Sequence, residues 1–76
     1  MKTRLDIIDI EDLPTELIRK RNERNVTQAE LAKSVKTSKT CISAIENNNR
    51  KIKLKQFADL FKSLGYKIQI AITELK

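Results

Sequence analysis

Residues 27–49, TQAELAKSVKTSKTCISAIENNN, decide how this chain folds. Thr27 is followed three residues later by Glu30, which is the spacing of a capping box and predicts a helix that opens at Gln28. Ser38 is the next residue suited to cap a helix, so a second short helix should begin directly after it. Because so few residues separate the two helices, the chain must turn sharply between them, which predicts a helix-turn-helix.

Apolar residues recur at helical spacing and give each of these two helices one side to bury. On the helix after Thr27 they are Ala29, Leu31, Ala32 and Val35, and on the helix after Ser38 they are Ile42 and Ile45. Both helices are therefore expected to pack on a common core.

The same stretch resembles the helix-turn-helix of the XRE family, the type found in the Cro and CI repressors. Its members carry a pattern close to TQ-x-E-L-A-x-x-(V/L)-x-x-S-x-x-x-I-S-x-(I/L)-E, followed by Gly or Asn. The matching positions here are Thr27, Gln28, Glu30, Leu31, Ala32, Val35, Ser38, Ile42, Ser43, Ile45, Glu46 and Asn48. The resemblance covers residues 13–65 with the flanking helices, and it implies a mainly α, lambda-repressor-like bundle of four helices that binds double-stranded DNA.

Lys36 departs from this pattern, because the family usually has Gly at that position of the turn. If the backbone is left-handed there, a side chain costs roughly 1–2 kcal/mol. Residues 47–49 are all Asn, which tolerates a left-handed stop nearly as well as Gly, so the third helix should end there.

The composition limits the classes of function open to the chain. Seventy-six residues form one domain, and 16 Lys and Arg against 10 Asp and Glu give a net charge of +6, which favours a polyanionic partner. One Cys and no His leave no metal cluster, and no cofactor is expected. No apolar run approaches the ~20 residues of a membrane span, and the start lacks the apolar core of a signal peptide. A cytoplasmic protein without a membrane partner is therefore expected.

The N-terminal residues 1–12 mix apolar and acidic side chains, so they could form either a short strand or a flexible arm. Their acidity argues against an arm that follows the DNA backbone. A first helix is expected over residues 13–24, because Asp12 can cap it and Pro14 sits where a missing amide proton costs little.

Arg21 lies on the apolar side of this first helix, where a charged residue needs a partner. In the XRE family, an Arg at this position pairs with the Glu near the end of the recognition helix, which is Glu46 in this chain. The resemblance therefore implies a partly buried ion pair between Arg21 and Glu46 that ties the first helix to the third.

After the helix-turn-helix, the apolar residues recur first at helical spacing and then at every second position. Helical spacing of Leu54, Phe57, Ala58, Phe61 and Leu64, with Leu60 at the edge, predicts a fourth helix whose C-terminal stop is Gly65. Beyond it, apolar residues alternate with others, which predicts a strand with one apolar face. The apolar residues of that face are Tyr66, Ile68, Ile70 and Ile72.

A lone strand leaves its backbone groups unpaired, so residues 66–76 need a partner strand. The candidates are the N-terminal segment and the same strand of a second chain. We favour the second, which gives a two-fold homodimer with a small intersubunit sheet. A C-terminal strand of this kind is similar to the arrangement in HipB-type antitoxins.

The resemblance also assigns candidate DNA-binding residues. In the XRE family the third helix enters the major groove with its N-terminal residues foremost, which places Lys39 and Thr40 at base edges and Ala44 one turn further on. Ser38 and Ser43 border the same face. Contacts with the DNA backbone are expected from Gln28, Asn47, Asn49, Arg50 and Lys51.

These features favour a dimeric transcriptional repressor that binds a palindromic operator with half-sites about 34–36 Å apart. The alternative is the antitoxin of a toxin-antitoxin pair, which binds a toxin protein and represses its own operon. An enzyme is disfavoured, because the chain has no His and its one cysteine, Cys41, has no candidate base beside it.

Overall fold

The computed structural model describes residues 5–75, and within this range the chain is mainly α. A single 3-10 turn, Ile10–Asp12, precedes four helices: α1 (Leu13–Glu23), α2 (Gln28–Ser34), α3 (Lys39–Glu46) and α4 (Leu54–Ser63). The predicted four helices are thus confirmed. The first four residues of the N-terminal segment 1–12 and the last residue of segment 66–76 lie outside the described residues.

The helix-turn-helix begins where its capping residues predicted. The Glu30 backbone N–H donates to Thr27 Oγ1 at 3.1 Å, and the Thr27 backbone N–H donates to Glu30 Oε1 at 2.9 Å, which completes the capping box. The backbone N–H of Thr27, and to a lesser degree its side chain, hold the pKa of Glu30 below its usual value. At the start of α3 the Cys41 backbone N–H donates to Ser38 Oγ at 3.1 Å.

The prediction that the side chain of Asp12 caps α1 is wrong. Asp12 occupies the N-cap position, but its side chain makes no capping hydrogen bond. A capping side chain needs an extended backbone in order to reach the third amide of the helix. Asp12 instead has φ −92° and ψ 1°, because the 3-10 turn runs directly into α1 and ties the Asp12 backbone N–H to Asp9 O at 2.9 Å.

The core is formed by the apolar faces of all four helices. Leu17 of α1, Leu31 of α2 and Ile42 of α3 are fully buried at its centre. The other buried apolar residues are Leu13, Ala32, Ile45, Phe57, Leu60, Phe61 and Leu64. Helical periodicity predicted the members of this set from α2 onward, and of those candidates Ala29 alone is exposed, on the outer side of α2. Packing of α2 on α3, and of α1 on both α3 and α4, then fixes the helix-turn-helix against its support.

Left-handed residues follow each of the four helices. They are Asn25 (φ 57°), Lys36 (φ 58°), Asn48 (φ 59°) and Gly65 (φ 89°). Asn and Gly accept this conformation readily, but Lys does not. Lys36 is held in it by the end of α2, because the Thr37 backbone N–H reaches back to Ala32 O at 2.8 Å, a bond that requires the chain to reverse between them.

The predicted C-terminal strand is not formed in the single chain. Residues 66–75 are neither helix nor strand, and residues 5–9, which also lack regular structure, do not pair with them. The physical reason is that a strand exists only when a neighbouring strand satisfies its backbone groups, and no other segment within residues 5–75 forms such a strand.

Tyr66 attaches the start of this segment to α1. Its hydroxyl donates to Glu23 Oε2 at 3.0 Å, and the centre of its ring lies 4.5 Å from the Arg24 guanidinium carbon and 5.1 Å from Lys20 Nζ. Ile68 packs partly on the core, but beyond it the apolar side chains face solvent. Ile70 is 65% exposed and Ile72 is 97% exposed.

The strain at Lys36 makes the substitution Lys36→Gly stabilising. Glycine avoids a left-handed penalty of roughly 1–2 kcal/mol but loses about 0.5–1 kcal/mol more backbone entropy on folding, so the free energy of unfolding should rise by at most about 1.5 kcal/mol. Thermal denaturation should show this as an increase in Tm of a few degrees. Lys36→Ala is the control, because it removes the charge and keeps the strain. A Lys36→Gly chain that melts below the Lys36→Ala chain would contradict the explanation.

Candidate nucleic-acid interface

The first turn of α3 exposes Lys39 and Thr40 on its outer side. Ile42 and Ile45 point one side of this helix into the core, which turns the opposite side outward. Lys39 and Thr40 are exposed as a result, and Ser43, one turn later, is half-buried. The helix is therefore anchored by its apolar side while its N-terminal end remains open to a partner.

A shallow concavity of about 500 Å³ lies between the start of α2 and the outer side of α3. It is lined by Gln28, Lys39, Thr40, Ser43, Ala44, Asn47 and Asn49. All of these residues belong to the DNA-binding set predicted from the sequence. The other members of that set, Ser38, Arg50 and Lys51, are exposed and lie outside the lining.

The charge of this region is positive. Between residues 36 and 55 the only acid is Glu46, and its side chain is just 2% exposed. The basic residues of the same range are exposed, namely Lys36, Lys39, Arg50, Lys51, Lys53 and Lys55. Since no carboxylate lines the concavity, phosphate groups can approach it without like-charge repulsion.

Glu46 lies at the centre of a hydrogen-bonded network that joins three helices. Its carboxylate accepts Arg21 Nε at 2.7 Å on Oε2 and Arg21 Nη2 at 3.2 Å on Oε1. The Gln28 amide nitrogen donates to the same Oε1 at 2.9 Å, and Arg21 Nη1 donates to Val26 O at 2.9 Å. The ion pair implied by the resemblance is thus present, and it also fixes the turn before α2 and the first residue of α2.

A second group of charges escaped the sequence reasoning. Lys20 and Glu16 of α1 are both about 95% buried, and Lys20 Nζ lies 3.3 Å from Glu16 Oε2, 3.7 Å from Glu23 Oε2 and in contact with Asp6 of the N-terminal segment. The spacing of Glu16, Lys20 and Glu23 places them on one face of a helix, which is the signal that could have revealed them. The contact with Lys20 holds Asp6 on α1.

Other kinds of site find no support in the described part of the chain. Residues 5–75 contain no group of three or more His, Cys, Asp or Glu side chains that could hold a metal ion. None of the helices in that range has both the length and the apolar character required to cross a membrane.

Comparison with known proteins gives the family of the chain and a solved structure of similar fold. The family model for a helix-turn-helix domain matches residues 15–74, so the chain belongs to this family, of the XRE type, whose members are DNA-binding regulators and typically not enzymes. A solved structure of similar fold is a complex of a HipB variant with an O2 20mer, with a TM-score of 0.74 and 26% sequence identity over 95% of this chain and 100% of that one. No curated protein matches the chain.

Removal of the Arg21 guanidinium should strongly destabilise the fold. Arg21→Met leaves Glu46 buried with only Gln28 as a partner, and breaking one side of a buried pair costs about 3–5 kcal/mol. A chain of this size has roughly 4–11 kcal/mol in total, so the loss should be plain in urea denaturation.

The matched control is the double variant Arg21→Met with Glu46→Leu. Because it removes both charges, it should regain most of the lost stability. A single variant within about 1 kcal/mol of the original chain would show that Glu46 does not depend on Arg21.

Proposed function

We propose that this chain is a dimeric transcriptional repressor that binds a palindromic operator in double-stranded DNA. The observation that carries the proposal is the open first turn of α3 above a concavity without acidic lining, bordered by exposed Arg50 and Lys51. In this proposal residues 13–65 form the DNA-binding domain, residues 66–76 the dimerisation segment and residues 1–12 an arm. A repressor of this kind would act in the cytoplasm.

The base-reading residues are proposed to be Lys39 and Thr40. The Lys39 ammonium suits the O6 and N7 acceptors of guanine, and it sits where a cation opposes the helix dipole by about 0.3–1 kcal/mol, a cost that contact with DNA offsets. Thr40 can donate to or accept from a base edge. Ala44, one turn on, offers a methyl group for the methyl of thymine, and Ser38 and Ser43 flank these positions.

Backbone contacts would fix the register of α3 in the groove without reading the sequence. Gln28 lines the concavity from the start of α2. Beyond the other end of α3, the proposed phosphate contacts are Asn47, Asn49, Arg50 and Lys51, all of them exposed.

The dimer is proposed to form through the apolar residues of the C-terminal segment. Ile70 and Ile72 expose most of their side chains in the single chain, while Tyr66 and Ile68 are already partly packed on their own domain. Pairing of residues 66–75 with the same residues of a second copy would satisfy their backbone groups and cover both isoleucines. Tyr66 and Ile68 would then mark where each domain meets the shared sheet.

The second candidate is an antitoxin that also represses its own operon. A specific observation favours it: the N-terminal segment exposes Leu5 by 70% and Ile7 by 94% among acidic residues, a surface unsuited to DNA and suited to a protein. The fold similarity to a HipB complex agrees with this candidate. Co-purification of a protein encoded next to this chain, and relief of its toxicity by this chain, would separate an antitoxin from a simple repressor.

Selection of binding sites from a random duplex pool tests the repressor proposal. We expect a palindromic site whose halves lie about one helical turn apart. Lys39→Ala should change the preferred bases, whereas Lys51→Ala should weaken all duplexes alike and lower the salt slope of binding by about 1. Flat enrichment with the original chain would refute sequence-specific binding, and a shifted preference with Lys51→Ala would refute these assignments.

The proposed dimer predicts a large effect of Ile72→Asp. Each copy loses one buried isoleucine from the shared sheet, worth about 1.5–3 kcal/mol, so the dimer dissociation constant should rise about 100-fold or more. Sedimentation equilibrium measures it. Thr73→Asp is the control, because Thr73 is also exposed and alternation places it on the opposite face. An original chain that remains monomeric at high concentration, or equal dissociation constants for the two variants, would contradict the model.

A further inference from the structure

The Gln28 side chain connects the buried ion pair to the concavity. Its amide nitrogen donates to Glu46 Oε1 at 2.9 Å, and the same side chain lines the concavity beside Lys39 and Thr40. Glu46 is almost fully buried and Gln28 is half-buried, so the amide lies at the boundary between the core and the proposed DNA surface.

The chemistry of Glu46 fixes which way this amide points. An ionised carboxylate only accepts hydrogen bonds, so the Gln28 NH₂ group must turn towards it and the Gln28 carbonyl must turn away. One N–H of that nitrogen is then used inside the protein, and the second N–H has no hydrogen-bond partner among residues 5–75, so it is available to a ligand. A freely rotating glutamine would offer either end of its amide and would lose more side-chain entropy on binding.

Arg21 makes this arrangement compatible with an anion. The guanidinium donates to both oxygens of Glu46, at 2.7 Å to Oε2 and 3.2 Å to Oε1, so the carboxylate beside Gln28 is neutralised. Without that compensation, a phosphate bound to the Gln28 amide would lie close to an unpaired negative charge.

We propose that Glu46 is a positioning residue that holds the Gln28 amide so that its second N–H donates to a DNA phosphate. The inference rests on the proposed DNA binding and deepens it, because it links the pair that stabilises the fold to a contact with the duplex backbone. Its consequence is that the contribution of Gln28 to DNA affinity depends on the buried pair.

A double-mutant cycle on DNA affinity tests this dependence. The four proteins are the original chain, Gln28→Ala, the combined Arg21→Met and Glu46→Leu variant, and that variant with Gln28→Ala added. The probe is a fluorescent duplex of about 20 base pairs and mixed sequence, titrated at constant salt, since phosphate contacts are independent of sequence. Circular dichroism identifies any protein that does not fold.

We expect Gln28→Ala to weaken binding by the original chain about tenfold, the size of a hydrogen bond to a charged group. In the Arg21→Met and Glu46→Leu background the same change should weaken binding less than about twofold, because the amide is no longer held. Equal fold-losses in both backgrounds would overturn the inference while leaving DNA binding intact. Failure of the original chain to bind the duplex would overturn the proposed function and this inference together.

A measurement on the original chain decides the question if the core variant does not fold. Nuclear magnetic resonance of the side-chain amides should show one Gln28 amide proton protected from exchange with solvent and the other shifted when the duplex is added. The exposed Gln69 provides the reference for an unprotected glutamine amide. If both Gln28 protons exchange as fast as those of Gln69, or neither shifts with DNA, the inference fails.

Discussion

The structure depends on the contact between Arg21 and Glu46. Helices α2 and α3 have only 7 and 8 residues, too few to persist without tertiary support. Buried Leu and Ile side chains hold them against α1 and α4, but apolar contact by itself is not directional. The bidentate pair adds direction, because the planar guanidinium fixes the end of α3 relative to α1. Through Val26 and Gln28 it also fixes where α2 begins, so one buried carboxylate sets the relative placement of the whole helix-turn-helix.

Sequence reasoning located the helices and most of the core because those features are encoded locally. Thr27 and Ser38 mark helix starts through side chains that bind amides only three residues away, and the apolar period of each helix identifies its buried side. The candidate site followed from the same information. Once α3 is known to bury Ile42 and Ile45, its outward positions, Lys39 and Thr40 among them, are determined by helical geometry.

What the sequence did not reveal depends on partners that are distant along the chain or on another molecule. Asp12 has the chemistry of a cap, but the preceding turn sets its backbone. The bond from Gln28 to Glu46 spans 18 residues, and the contact of Lys20 with Asp6 requires the chain around Asp6 to lie beside α1. For residues 66–75, the alternating period predicted a strand that the single chain does not form, since the hydrogen bonds of a strand must come from a neighbour.

The attachment of Tyr66 to α1 has a consequence for the geometry of DNA recognition. Its ring lies against Lys20 and Arg24, and its hydroxyl donates to Glu23. Helix α1 in turn is joined to α3 through Arg21. In a dimer built on residues 66–75, the C-terminal segment would be fixed to its domain at Tyr66. Each α3 could then not rotate relative to the twofold axis at that point. One base pair inserted between two half-sites rotates them by about 34–36° relative to each other. A dimer with this joint would hold its two recognition helices at a fixed distance and orientation. It would therefore bind DNA of the altered spacing weakly even when both half-sites match in sequence.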